Sequence, residues 1–328
     1  MKVFYRPEQV AVTNSMSPSS YKPLLVVEDW CSDPLINIEI CGFEPATRSQ
    51  LALAHDPDFV AGVLECRYEN GFGNTDKAVA ESLPFTSGAM LAATECAVLN
   101  NEITCAPVSG AHHSGYDYAS GFCSFNFLLV AAMVLKQKGL VNRVKILDLD
   151  RHFSDGTVQI IRHLKLESWI TNHTQGQQIN SRSDVVSGKY QTWLDNAIED
   201  CLGGDLVIVQ LGADPHLLDP LGGLLSTQQM AERDRAVFER LGHLPLCWTL
   251  AGGYLVTAEG TTPAERLEPV LRLHRQSARI CTEVMAGAAH KRHRLISKPK
   301  KMRRQSRRTG ALCKADGIII KRNFLPYA

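Results

Sequence analysis

The sequence predicts an α/β domain built around a mainly parallel sheet, and three observations lead there. Short apolar runs of strand length recur without polar alternation, at 23–27 (PLLVV), 144–149 (VKILDL), 205–212 (DLVIVQLG) and 245–253 (PLCWTLAGG). Strands that are apolar on both faces are the mark of a sheet covered on both sides. Stretches with helical spacing lie between them. Gly, Asp or His follows closely on most of the runs, which is where loops at the carboxyl ends of parallel strands hold ligands.

The helices carry their own signals. SGAMLAATECAVL (87–99) and FNFLLVAAMVLKQKG (125–139) place small and apolar residues at helical spacing, the second ending in Lys, Gln, Lys and a C-terminal Gly139. SLPFTSG (82–88) and LSTQQMAERDRAVFERLG (225–242) offer hydroxyl residues as helix starts. No internal repeat is visible. With 328 residues, 45% hydrophobic and 21% charged, the chain has the composition of an ordinary globular protein, which excludes wholesale disorder and rod-like repeats. The ten cysteines are scattered with no CxxC pair, so a structural thiolate zinc site of the usual spacing is not expected and the thiols read as reduced. The N-terminus has no apolar signal segment, and no run approaches the ~18 residues a membrane span needs. A cytoplasmic protein is expected.

The net charge of +1 conceals an asymmetry. Residues 291–328 hold 13 of the 35 Lys/Arg and one of the 34 Asp/Glu, leaving a body with 22 basic against 33 acidic residues. The stretch KRHRLISKPKKMRRQSRR (291–308) contains no acidic residue and no apolar helical period. It reads as a solvated tail able to meet nucleic acid or an anionic surface. The expected division is therefore a globular domain over 1–285 and a basic appendage over 286–328.

The chemistry-bearing residues gather at the expected strand ends. Asp148, Asp150 and His152 follow one run, Asp214 a second, and Gly252, Gly253 and Tyr254 a third; His112 and His113 follow ITCAPVSG. Taken singly each is ordinary, since an Asp after a strand is more often a turn former than a ligand. Their joint arrival on one rim is what matters. Asp150 and His152 are two residues apart and share a side of an extended segment. With Asp214 they make three ligands with open positions, the count of a catalytic rather than a structural metal. Carboxylates crowded at Asp148 and Asp150 also call for a cation or a proton.

Six segments, in this order, resemble the zinc-dependent histone deacetylase superfamily, in particular its bacterial class II-like deacetylases and acetylpolyamine amidohydrolases. They are FEPATRSQLALAHDPDFV (43–60), NGFGN (70–74), PVSGAHHSGYDYASGFCSFN (107–126), DLDRHFSDGT (148–157), QLGADPHLLDPLGG (210–223) and LAGGY (250–254). The resemblance implies an arginase-like three-layer domain with an eight-stranded, mainly parallel sheet. It implies a Zn2+ held by Asp150, His152 and Asp214, although an N/O ligand set also accepts Fe2+. It implies that His113, oriented by Asp155, moves protons, that His112 with Asp148 acts electrostatically, and that Tyr254 stabilises the oxyanion. Gly121 and Phe122 would line a narrow acyl-lysine channel, with Gly252 and Gly253 letting backbone approach the substrate. A monovalent cation, K+, would sit by Asp148, Asp150, His152 and Thr171. The substrate would be an acylated amine, a protein lysine or a polyamine-like molecule.

Departures from the family pattern are local. Phe153 stands where many relatives have a second histidine, and Ser154 where a Gly often follows. The segment 174–193 lacks the Phe-Pro-Gly-Thr-Gly loop that walls the channel elsewhere, so that side is expected to be open or closed by another loop. Trp169, Trp193 and Trp248 read as packing residues, Cys123 as a buried inert thiol, NGFGN as a loop at the pocket mouth, and His55-Asp56 as a helix-end pair. The competing reading is a catalytically idle relative that binds an acylated ligand or, through its tail, nucleic acid. Retention of the whole set of site residues favours the enzyme.

Overall fold

The computed structural model describes residues 1–13 and 15–296. The elements run β1 (Lys2–Phe4), α1 (Lys22–Ser32), β2 (Glu39–Cys41), α2 (Arg48–Leu51), α3 (Pro57–Leu64), α4 (Lys77–Asn100), β3 (Ile103–Ala106), α5 (Phe127–Gln137) and β4 (Val144–Asp148). They continue with α6 (Asp155–His163), β5 (Ile170–Thr174), α7 (Gln175–Gln178), α8 (Arg182–Val186), α9 (Lys189–Cys201), β6 (Leu206–Leu211), α10 (Thr227–Leu241), β7 (Leu246–Leu250) and α11 (Pro263–Ile296). The strands form one sheet in the order β2-β1-β3-β7-β6-β4-β5, every pair parallel.

Alternation along the buried strands divides the core into two layers. Ile146, Leu206, Ile208 and Cys247 point to one face, packing with α3, α4 and α5. Leu147, Val207, Val209, Leu246 and Trp248 point to the other, packing with α1, α9, α10 and α11. Both faces are apolar because both are covered, which is why the runs lack polar alternation. The runs at 144–149, 205–212 and 245–253 are strands as expected, and the helices at 125–139 and 225–242 form with Asn126 and Ser226 as caps.

Three expectations are corrected. PLLVV (23–27) lies in helix α1: Lys22, Pro23, Val26, Val27 and Trp30 are its buried residues, a spacing of three and four. Pro23 sits in the first turn, where its missing N–H breaks no bond, and a short apolar run cannot by itself separate strand from helix. SLPFTSG (82–88) is not a helix start; α4 begins at Lys77 behind Asp76, whose side chain accepts from the Ala78 N–H, and continues through Pro84. The described residues hold seven strands, not eight. β5 is the edge, and Thr174 ends it and caps α7 at once, because QGQQINSRSD has no apolar run to bury as a further strand.

Met1–Ala289 forms one compact unit, and α11 continues to Ile296. The basic stretch beyond it, with the nucleic-acid or anionic-surface contacts expected of it, lies outside the described residues. Among the described residues no helix is long and apolar enough to cross a membrane, and all nine cysteines are free.

The layer around α1 is locked by Trp30, fully buried and packed on Trp248 of β7 with ring centroids 5.3 Å apart. Trp30→Ala is expected to lower unfolding free energy by about 3–5 kcal/mol. Chemical denaturation monitored by far-UV circular dichroism measures this, and an unchanged midpoint would refute the role given to the pair.

Candidate metal centre

The four central strands β3, β7, β6 and β4 are neighbours, so the loops leaving their carboxyl ends meet on one rim. Asp150 and His152 leave β4 and Asp214 leaves β6. One ligand atom from each lies within 4.8 Å of the others. His152 Nδ1 is 3.1 Å from a carboxylate oxygen of Asp150 and 3.1 Å from one of Asp214.

The donor set fits a divalent ion. Asp150 and Asp214 are both buried, and Asp214 Oδ2 has His152 Nδ1, at 3.1 Å, as its partner. Burial and the facing Asp150 charge push the Asp214 carboxyl up. Burial works against Asp150 too, but His112 and His152 hold its carboxyl well below the usual range. Hydrogen bonds to both carboxylates raise His152 to about 10. Two buried carboxylates this close demand positive charge between them. Gly252 shapes the cradle: its N–H donates to Asp150 Oδ2 at 2.7 Å, and a Cβ there would overlap the Asp214 carboxylate.

The two histidines differ. His112 Nδ1 is 2.8 Å from Asp148 Oδ2, with its other nitrogen 3.7 Å from Asp150. Burial opposes its charge, but Asp148 and Asp150 outweigh it and raise His112 to about 9. Asp148 is fixed in turn by Gln210 Nε2 at 3.0 Å and by the Asp150 N–H at 3.1 Å. His113 Nδ1 pairs with Asp155 at 2.5 Å. Burial and the neighbouring His112 charge lower its pKa, so His113 is the neutral imidazole of the pair. The rings stand 4.1 Å apart, and His113 is 5.9 Å from His152.

Tyr254 faces this group from the end of β7, edge-on to His152 at 6.5 Å between centroids. Burial, followed by the Asp150 charge, pushes its phenol up, so the hydroxyl keeps its proton and remains a donor. A small pocket is lined by Ser109, Gly110, His112, Asp150, Gly252 and Tyr254 among others.

The channel residues are placed unequally. Gly121 and Phe122 both have left-handed φ, 54° and 64°. A bulky residue there is strained, and the strain is held by the NGFGN loop: the Phe122 N–H donates to Gly71 O at 2.8 Å and Phe72 packs on its ring at 5.9 Å. Phe122 is 6.0 Å from Tyr254. Gly253 instead backs onto Ala213 and Val270, away from the pocket. Thr171 does not join the others. It pairs in register with Lys145, whose Nζ donates to its hydroxyl, while the residue abreast of Asp148 is Thr174. The shortened segment after β5 docks on the site from outside: Arg151 donates to Asn180 O and Gly222 O, and Arg182 bonds to Leu224 O.

Several supporting residues escaped the sequence reading. Asp219 accepts the N–H groups of Tyr254 at 2.7 Å and Leu255 at 3.1 Å, anchoring the tyrosine. It lies in the QLGADPHLLDPLGG segment, where only Asp214 drew a role. His55 is more than half of a helix-end pair. Asp56 does cap α3, but His55 is buried between Gly115 O and the Asn126 N–H, bracketing the loop that bears Gly121 and Phe122. A lone histidine before an Asp carries no signal of that task.

Comparison with known proteins bears on the family and the fold. Residues 16–179, half of the chain, match the histone deacetylase domain, a span that includes both histidines, Asp150 and His152 but not Asp214 or Tyr254. An uncharacterized protein of Picosynechococcus sp. is 31% identical over 63% of this chain and 76% of its own length. Histone deacetylase 10, chloroplastic, of Oryza sativa is 23% identical over 71% of this chain and 63% of its own length. Acetylpolyamine amidohydrolase 2 of Pseudomonas aeruginosa is 26% identical over 50% of this chain and 54% of its own length. The chain thus spans about half to two thirds of these named deacetylases. In fold it is similar to the crystal structure of the HDA15 HD domain, with a TM-score of 0.67 and 17% identity over 88% of this chain and 92% of that one.

Burial lowers His55 from 6.5 to about 4. Between these values the unfolded chain binds a proton that the folded chain refuses. Stability is therefore intact above pH 6.5 and falls as pH drops toward 4, by roughly 3 kcal/mol from this group. His55→Asn should flatten that slope, read as the difference in urea midpoint between about pH 7 and about pH 4.5. An unaltered slope would refute it.

Proposed function

The chain belongs to the histone deacetylase family, and from that premise we propose that it is a zinc-dependent amidohydrolase. It removes an acetyl or related acyl group from an amine, a protein lysine or a polyamine-like molecule. The observation that carries this reading is the meeting of Asp150, His152 and Asp214, with both carboxylates 3.1 Å from His152 Nδ1, opposite Tyr254 and the paired histidines.

Asp150, His152 and Asp214 would hold the zinc, which when bound would polarise the amide carbonyl and acidify a water. Each remaining role falls to a side chain whose state suits it. Burial and the His112 charge keep His113 neutral, and Asp155 engages its Nδ1, which leaves Nε2 to take the water's proton and pass it to the departing amine. His112, kept charged by Asp148, supplies positive potential beside the reacting carbonyl. The Tyr254 hydroxyl donates to the oxyanion as the carbonyl becomes tetrahedral. Phe122 and Gly121 flank the entering acyl-amine arm. In the same reading residues 1–285 do the chemistry and 286–328 are an appendage to it.

The purified chain is expected to retain about one divalent ion and to hydrolyse acetyl-lysine peptides or acetylated polyamines, with Tyr254→Phe lowering turnover by about 10²–10³. Metal analysis together with a substrate panel measures this. A metal-loaded protein inert toward every acyl amide, yet still binding them, would establish the idle relative instead. Removing residues 297–328 should leave metal content and turnover unchanged; loss of either would give the appendage a part in the enzyme.

A further inference from the structure

Two buried cations lie behind the carboxylates, and the chemistry above assigns neither of them a task. Lys22, the first residue of α1, is fully buried, and its ammonium donates to the carbonyl of Ala251. Arg233 of α10 is also buried, and its Nη1 donates to Leu149 O at 3.3 Å and Gly212 O at 3.2 Å. The three carbonyls share one property. Leu149, Gly212 and Ala251 are each the first residue beyond a strand, β4, β6 and β7 in turn. Asp150 follows the first directly, Asp214 stands two residues past the second, and Tyr254 three past the third. The two cations thus grip the root of every loop that delivers a metal ligand or the tyrosine.

Stability alone is a poor reason for this arrangement. Desolvating a cation costs several kcal/mol unless it is well paired, and apolar side chains of similar volume often serve stability better. Arg233 is paired, with Nε on Asp234 at 2.8 Å and Ser277 Oγ donating to the second oxygen of that carboxylate. Lys22 has no carboxylate at ion-pair distance among the described residues. Burial draws it down to about 8, against the pull of Asp214, Asp150 and Asp219. His274 is fully buried in the field of both cations, which together with burial keeps it neutral, and its Nε2 is unpartnered. A single ammonium on Ala251 O, and a guanidinium whose Nη1 spans two adjacent strand ends while Nε is tied to Asp234, are geometric devices.

We propose that Lys22 and Arg233 form a two-armed brace that sets the positions of Asp150, Asp214 and Tyr254 by capturing the strand-end carbonyls of Leu149, Gly212 and Ala251. Both are positioning residues, and the proposal rests on the metal-site reading above. The arms have separable tasks. Arg233 bridges the two ligand-bearing strands, so it governs how well the ligands converge. Lys22 holds the root of the tyrosine segment, which Ser109 Oγ also holds through the same carbonyl at 2.9 Å, so it governs the placement of Tyr254.

The test is a Co2+ titration of the full chain, followed by visible absorption, alongside kcat and KM. Arg233→Met is expected to weaken Co2+ binding by about 10–100-fold and to alter the absorption bands that report ligand geometry. Lys22→Met is expected to keep those bands but lower kcat by about 10–100-fold at nearly constant KM, and Lys22→Arg to restore most of it. Arg233→Lys, whose single ammonium cannot hold Asp234 and both carbonyls at once, should fold while binding Co2+ less tightly than the parent; this variant decides the matter if the Met variant does not fold. Variants with parental Co2+ affinity, absorption and kcat overturn the brace. An unaltered chain that binds no divalent ion overturns the metal-site reading, a distinguishable result.

Discussion

Two carboxylates, Asp150 and Asp214, are buried at the ends of adjacent strands β4 and β6, close enough to contact one imidazole nitrogen together. In water they would repel weakly; out of water the repulsion is large and must be answered by positive charge. Much of the surrounding structure is such an answer. His152 lies between them, His112 is held charged beside them, a backbone N–H from Gly252 points at one, and Lys22 and Arg233 stand behind. A site organised around two buried carboxylates is ready for a divalent ion, and that readiness ties the fold to the proposed chemistry.

The parallel sheet makes this concentration possible. All seven strands run the same way, so the loops that leave β3, β4, β6 and β7 emerge on one rim from four neighbouring positions. The same alignment leaves strand-end carbonyls on that rim, where they need donors. Arg233 and Lys22 meet that need from helices on one face of the sheet. His55, reaching Gly115 and Asn126, steadies the channel loop from the other side. In that loop the Gly71 carbonyl and the Phe72 ring hold Phe122, an aromatic residue, in a left-handed conformation.

Some features were legible because each has a local cause. The runs at 144–149, 205–212 and 245–253 are apolar on both faces and form covered strands. Asp150, His152 and Asp214 stand immediately after such runs, and their convergence follows from parallel pairing. Other features had no local cause to read. PLLVV became a helix because Val26, Val27 and Trp30 find a partner in the sheet face at Trp248, a choice made by packing. Thr171 stands apart from Asp148 because the β4–β5 register sets Asp148 against Thr174, and register is a property of two strands. Gly253 sits after the strand like Gly252, yet only Gly252 touches the carboxylates.

The sequence alone therefore determined the α/β class, the rim on which the chemistry gathers, and the identities of the three candidate metal ligands, the paired histidines and the tyrosine. These follow from periodicity and from residue type at a strand end, both of which act over a few neighbours. The tertiary structure decided which helix face met the sheet, how many strands formed, and that Lys22, Arg233, Asp219 and His55 serve the site. Those residues act across as many as about 230 positions of chain, as when Lys22 reaches Ala251. A contact between distant segments exists only once the core has brought them together, and no pattern within either segment encodes it.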